Sequence, residues 1–193
     1  MTRFKTTLLA AALLAMSAGA RAQDEQINIL CSVQVDWCNL IQTTFSRVAN
    51  VKVNIVQRST GEALAQINAE RANPKTDVWF GGTGDPHLQA AEQGLTQPYE
   101  SPSLAQLHPW AQRQAKQSGG RSVGIYMGPL GFAYNTELLA KRKLPVPRSW
   151  ADLLRPEFKG EVQMANPATS GGAYTAVATL VQLMGEDKAW DYM

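Results

Sequence analysis

Small and hydroxyl-bearing residues recur at four positions where a run of apolar residues gives way to the start of a helix-like pattern. At the start of a helix the first backbone N–H groups have no internal partner and carry about half a positive charge. Small side chains there let an anion approach the backbone closely. The four turns therefore predict a site for a small anionic ligand, although capping of helices by Ser and Thr is the alternative for any single turn. The candidate ligand-binding residues are Ser32, Ser59, Thr60, Gly82, Thr83, Ser170, Gly171 and Gly172.

Catalytic chemistry has little support in the sequence. The two histidines, His87 and His108, accompany neither a GxSxG elbow nor an HExxH zinc pattern, and both are predicted to be solvated. The carboxylates show no paired arrangement, and there is no GK[ST] phosphate loop or GxGxxG fingerprint. We expect no catalytic residue, metal ligand or cofactor, and hence a binding protein. An exported hydrolytic enzyme on a similar α/β scaffold is the alternative from another class.

The two cysteines, Cys31 and Cys38, are separated by six residues. A disulfide between them is the favoured interpretation, because other features place the chain in an oxidising compartment. Free thiols and a metal pair are the alternatives. Two thiolates fall short of the four ligands that structural zinc takes, and the spacing is not that of a CxxC redox motif.

Strand-like and helix-like runs alternate along the first half of the chain. The strands are predicted at 26–30, 51–56 and 77–80, followed by helices at 36–49, 59–72 and 86–93. This alternation predicts an α/β fold with a parallel sheet covered by helices. Because the carboxyl ends of parallel strands meet at one edge of a sheet, the turns that follow them should converge there.

The second half is predicted to begin a second lobe near residue 135. Strand-like runs occur at 122–127, 130–135 and 160–164. A short helix beginning after Ser149 and helices over 173–184 and 186–193 complete the pattern. The second lobe is expected to be incomplete at the end of the chain.

Residues 1–22 have the charged start, short apolar run and small-residue end of a secretory signal peptide. The apolar run is too short for a membrane span. Removing Arg3, Lys5 and Arg21 with this leader reduces the 18 basic residues to 15, against 16 acidic residues. Without a basic excess, we expect no nucleic-acid binding and no direct membrane insertion.

The mature chain resembles the type 2 periplasmic solute-binding proteins of ABC importers, in the branch that includes binders of ferric iron, phosphorylated sugars and phosphonates. The residues that carry this resemblance are QINILCSVQVDW, KTDVWFGG, GFAYNTELL and the run from LPVPRSW to the last residue. The resemblance implies two α/β lobes joined by two crossing strands, with the ligand clamped between them. It implies lobe 1 over 23–134, including hinge strands near 124–127 and 132–135, and a partial lobe 2 over 135–193.

The resemblance also implies a periplasmic, monomeric receptor that delivers a small anionic organic solute to the membrane subunits of a permease. The solute would bear a phosphate, phosphonate or carboxylate. A ferric-iron receptor with a synergistic anion is the alternative. Ferric-binding relatives carry a His in the loop after the first strand and a Glu after the third, whereas the loops here read CSVQV and FGGT.

Overall fold

The computed structural model describes residues 25–193. The predicted signal peptide lies outside the described residues. No helix in this described part is both long and apolar enough to span a membrane.

The core of the first half is a parallel three-stranded sheet. Its strands are β1 (Gln26–Cys31), β2 (Lys52–Gln57) and β3 (Val78–Phe80), in the order β2-β1-β3. The central strand pairs on both sides, with Ile29 opposite Ile55 in β2 and Val78 in β3. Its apolar end, from Ile29 to Cys31, is therefore buried. All three strands point the same way, as the alternating sequence pattern predicted.

A helix begins within a few residues of the end of each strand. These helices are α1 (Val35–Ala49), α2 (Thr60–Ala69) and α3 (Gly84–Glu92). The helix α1 packs on β2, where the Gln42 side chain donates a hydrogen bond to the Val53 carbonyl at 2.9 Å. It ends at Asn50, whose backbone is left-handed with φ of 53°. The predicted strand–helix alternation is confirmed, and it places all three helix starts at one edge of the sheet.

The remaining chain is helical and irregular. Its α-helices are α4 (Pro109–Gln117), α5 (Thr136–Arg142), α6 (Gly171–Met184) and α7 (Glu186–Tyr192), and its 3-10 turns span Leu104–Gln106, Trp150–Leu154 and Pro156–Phe158. The predicted helix after Ser149 is the 3-10 turn that begins at Trp150, with Ser149 capping it. The helices α4 and α5 were not predicted from the sequence.

Three predicted strands are not strands in the structure. Within residues 25–193, the segments 122–127, 130–135 and 160–164 adopt no regular ladder. Their residue types suit strands, but a strand needs a neighbour to accept its backbone hydrogen bonds. None of the three described strands pairs with them. The boundary between lobes at residue 135 stays a prediction.

The disulfide between Cys31 and Cys38 is present, which confirms the favoured interpretation over free thiols. Both cysteines are buried. The bond joins the end of β1 to the first turn of α1 and so restrains the loop that carries Ser32.

Removing this disulfide is expected to lower the free energy of unfolding by about 2.5 kcal/mol, since a short cross-link restricts the unfolded chain modestly. Urea unfolding of the Cys31→Ala/Cys38→Ala variant and of the oxidised chain measures the difference. Dithiothreitol should destabilise the parent chain by a similar amount and leave the double variant unchanged. Equal urea midpoints for the parent chain and the double variant would contradict the prediction.

Candidate functional site

The starts of three helices meet at one point, which we call the helix-start junction and define by Thr60, Thr83 and Gly171. Thr60 is the first residue of α2, Thr83 precedes α3, and Gly171 is the first residue of α6. A Cβ built on Gly171 would lie 2.5 Å from Thr83 Oγ1 and 2.6 Å from Thr60 Oγ1. The structure therefore brings turns from both halves of the chain into direct contact.

Two threonine hydroxyls face this junction. Thr60 is buried, and its Oγ1 accepts a weak hydrogen bond of 3.4 Å from the Thr83 backbone N–H. The Thr83 Oγ1 atom is itself buried and has no hydrogen-bond partner among the described residues. Because an unpaired buried hydroxyl costs free energy, this atom is a ready donor or acceptor for a polar ligand group.

Gly82 and Ser32 flank the junction on the sheet side. Gly82 has a φ of +91°, and an added Cβ would lie 2.5 Å from Thr60 Oγ1 and 3.1 Å from Ser32 Cβ. Only glycine fits this combination of a left-handed backbone and a close approach. The Gly82 N–H donates to the Tyr126 hydroxyl at 3.0 Å, and Ser32 Oγ accepts from Trp79 Nε1 at 2.9 Å.

A second contact joins the two halves through the carbonyl of Thr169, and we call it the Thr169 contact. The Gly61 N–H, in the first turn of α2, donates to Thr169 O at 2.9 Å. Ser59 Oγ lies 2.8 Å from the same oxygen and 2.7 Å from Glu62 Oε2. The start of α2 is thus capped by a loop more than one hundred residues away in the sequence.

Ser170 and Gly172 occupy different positions relative to this junction. Ser170 Oγ accepts from the Ala173 N–H at 3.3 Å and caps α6. Gly172 is exposed, and an added Cβ would meet only Ser170 Oγ, at 3.9 Å. Seven of the eight predicted residues therefore lie at the junction or in the contacts beside it, whereas Gly172 stands apart from Thr60 and Thr83. The role of all eight residues in ligand binding stays a prediction.

The three helix starts differ in charge. Hydrogen bonds from the Ser59 side chain and backbone lower the pKa of Glu62, so a carboxylate stays ionised in the first turn of α2. Asp85 occupies the first turn of α3. The first turn of α6 has no acidic residue. Because nearby carboxylates offset the positive end of a helix dipole, α6 offers an anion the most favourable of the three starts.

Two residues near the site were not identified from the sequence. Tyr126 lies in a segment predicted as a strand, and its ring makes a T-shaped contact with the Trp37 ring at a centroid distance of 5.7 Å. His87 was predicted to be solvated, but it is half-buried and stacked on Trp79, whereas His108 is exposed as predicted. Both missed positions depend on long-range packing, which local sequence patterns do not encode. Tyr126, Trp79 and His87 also line a cavity of about 970 Å³.

The described residues contain no group of three or more His, Cys, Asp or Glu side chains close enough to hold a metal ion together. The polar groups gathered at the site are instead hydroxyls and backbone amides. This donor set suits an oxyanion more than a bare cation.

In α/β proteins with an open parallel sheet, ligands bind at the edge where the helices that follow the strands begin. The junction lies at this edge and includes the start of a further helix. Residues 73–193 match the family described as bacterial extracellular solute-binding protein, and the chain belongs to this family.

Among its relatives is an uncharacterized protein of Haemophilus influenzae, 43% identical over 97% of this chain and 54% of that protein. The solved structure of the periplasmic binding protein P5PA is 40% identical with a TM-score of 0.83, covering 87% of this chain and 54% of that one. The structure of the periplasmic binding protein AfuA from Actinobacillus pleuropneumoniae is 42% identical with a TM-score of 0.79, covering 88% and 54%. The chain spans about half the length of the relatives it matches.

These similarities confirm the predicted fold class, the periplasmic-binding-protein type of α/β fold. Membership of a solute-binding family also confirms the prediction of a binding protein rather than an enzyme. These similarities do not support the hydrolytic alternative.

Proposed function

We propose that this chain is the periplasmic solute-binding component of an ABC importer. It binds a small anionic organic solute between its two halves and delivers it to the permease subunits in the membrane. The observation that carries the proposal is the helix-start junction, where Thr60, Thr83 and Gly171 meet. The predicted signal peptide and the similarity to periplasmic binding proteins support the compartment.

The geometry suits an anion for electrostatic and steric reasons. The backbone N–H groups at the start of α6 and the Thr83 hydroxyl supply neutral donors, and no acidic side chain lies in the first turn of α6. Neutral donors hold an oxyanion without the desolvation cost of burying a Lys or Arg beside it.

Ligand entry requires the two halves to separate. The Thr60 and Thr83 hydroxyls lie against the Gly171 backbone, so a ligand enters beside them only when these groups move apart, and the groups meet again on closure. The Thr169 contact closes the same interface beside the junction, because both the Gly61 N–H and Ser59 Oγ lie within hydrogen-bonding distance of Thr169 O. We propose that hinge opening admits the solute and that the Thr169 contact re-forms on closure.

A phosphorylated sugar is the first candidate solute. The AfuA structure is described as having exogenous fructose-6-phosphate bound, and that chain is 42% identical to this one. A phosphate group has three oxygens to accept hydrogen bonds, which matches several donors converging from separate helix starts better than a single carboxylate does.

Calorimetric titration of the purified chain tests this proposal. We expect saturable binding of fructose-6-phosphate and at least about 100-fold weaker binding of fructose, because the anionic group makes the charge-assisted hydrogen bonds. A titration with ferric citrate tests the alternative of a ferric-iron receptor. Equal affinities for the sugar and its phosphate, or saturation by ferric citrate alone, would overturn the proposal.

A further inference from the structure

Two stacked aromatic rings lie beneath the glycine turn that leads to the junction. Trp79 belongs to β3 and His87 to α3, and their ring centroids are 3.7 Å apart with an interplanar angle of 25°. His87 Nε2 lies 2.8 Å from the Gly81 carbonyl oxygen. Trp79 Nε1 donates to Ser32 Oγ at 2.9 Å. The pair therefore links the loop after β1, the turn after β3 and the helix α3.

The turn that His87 contacts has an unusual backbone. Gly81 and Gly82 both have positive φ values, +79° and +91°. Two successive residues in this region have little intrinsic preference for one conformation, so outside contacts must fix the turn. The Gly81 carbonyl is held by His87, and the Gly82 N–H and carbonyl are held by the Tyr126 hydroxyl at 3.0 and 3.2 Å.

The protonation state of His87 follows from its surroundings. Burial lowers the pKa of His87 below its ordinary value, and the hydrogen bond with Gly81 raises it by less. The imidazole is therefore neutral near pH 7. Because a carbonyl oxygen only accepts, the proton lies on Nε2 and the tautomer is fixed by this contact.

We propose that His87 is a positioning residue for the ligand site. Its Nε2–H group fixes the Gly81–Gly82 turn by donating to the Gly81 carbonyl oxygen. The turn in turn sets the position of Gly82 against Thr60 and of the Thr83 hydroxyl at the junction. His87 acts through these residues and needs no contact with the solute. The expected effect of His87 on ligand binding rests on the proposed function, whereas its expected effect on the turn does not.

Two substitutions separate the hydrogen bond from the stack. His87→Phe keeps an aromatic ring over Trp79 and removes the donor, whereas His87→Gln retains an N–H donor at a similar reach. The exposed His108, whose ring lies parallel to Trp110 at 6.4 Å, provides the matched control His108→Phe. Circular dichroism and thermal unfolding establish that each variant folds.

The primary readout is amide hydrogen exchange at Gly82, measured by NMR without ligand. His87→Phe should raise this exchange rate about tenfold, since it loses one partly buried hydrogen bond, while His87→Gln and His108→Phe stay within about threefold of the parent chain. Unchanged exchange at Gly82 in His87→Phe, or an equal rise in His87→Gln, would overturn the inference.

The second readout is the dissociation constant for fructose-6-phosphate, which should rise about tenfold in His87→Phe and recover in His87→Gln. If the parent chain does not bind fructose-6-phosphate, the proposed function fails while the exchange rates at Gly82 still decide the role of His87. If binding is present and His87→Phe leaves it unchanged, the inference fails while the proposed function stands.

Discussion

Replacing Gly171 by alanine is expected to weaken the binding of fructose-6-phosphate by about 30- to 150-fold, equivalent to about 2–3 kcal/mol of overpacking. The added methyl group would lie 2.5 Å from Thr83 Oγ1 and 2.6 Å from Thr60 Oγ1. Thr60 is buried and the Thr83 hydroxyl oxygen is fully enclosed, so neither can swing away at low cost. The start of α6 must therefore move away from the other two helix starts, and titration calorimetry measures the loss.

The neighbouring Gly172 provides the matched control for this prediction. It also lies in the first turn of α6, but an added Cβ there meets only Ser170 Oγ at 3.9 Å. Gly172→Ala should bind fructose-6-phosphate within about threefold of the parent chain, since alanine is favourable in a helix and nothing is displaced. Equal losses in the two variants would show that the helix start, and not its contact with Thr60 and Thr83, determines affinity.

The sheet and its three helices were predictable because their signals are local. The alternating residues of β2 and the apolar spacing of α1 identify each element without knowledge of its neighbours. The helix α4 is polar overall and was not predicted. It buries only Ala111 and Ala115, two small residues in a segment rich in Gln, Arg and Lys, and it begins at Pro109 after an irregular stretch.

The strand predictions over 122–135 failed for a non-local reason. Residue types such as those of Val123 and Ile125 favour extended backbone, but regular strand structure also requires a partner at hydrogen-bonding distance. In the described part of the chain, β3 pairs only with β1. Sequence periodicity reports the preference of a segment and carries no information on whether a neighbour is present.

The candidate site also has a part that local sequence patterns predicted and a part that they could not predict. Ser, Thr and Gly in the predicted turns identified the three helix starts, since a capping residue lies within a few residues of the helix that it caps. The contacts between those turns could not be predicted from the sequence. The Tyr126 hydroxyl on Gly82 spans 44 residues and the Ser59 contact with Thr169 spans 110 residues. Such pairs are fixed only when the whole chain packs.

Disruption of the Thr169 contact is the second change for which we expect a large effect. Gly61→Ala should detach the loop 166–170 from α2, because the added Cβ would overlap the Ala168 carbonyl and lie 2.8 Å from Thr169 O. Both obstructing atoms belong to the backbone, so a change of rotamer cannot relieve the overlap. The amide of residue 61 bonds to Thr169 O, and its hydrogen exchange should accelerate at least about 30-fold when this partner is lost. Affinity for fructose-6-phosphate should fall with it, since closure over the solute loses two polar contacts.

Gly84→Ala is the control for this substitution, because Gly84 is also an early residue of a helix and meets only a flexible side chain. Its added Cβ would lie 3.3 Å from Gln114 Oε1, which can rotate aside. Exchange at residue 61 should therefore be unchanged in Gly84→Ala. If Gly61→Ala accelerates exchange at residue 61 but leaves affinity intact, the Thr169 contact is a local cap of α2 and takes no part in closure. Unchanged exchange in Gly61→Ala would instead show that the loop 166–170 does not rest on α2 in solution.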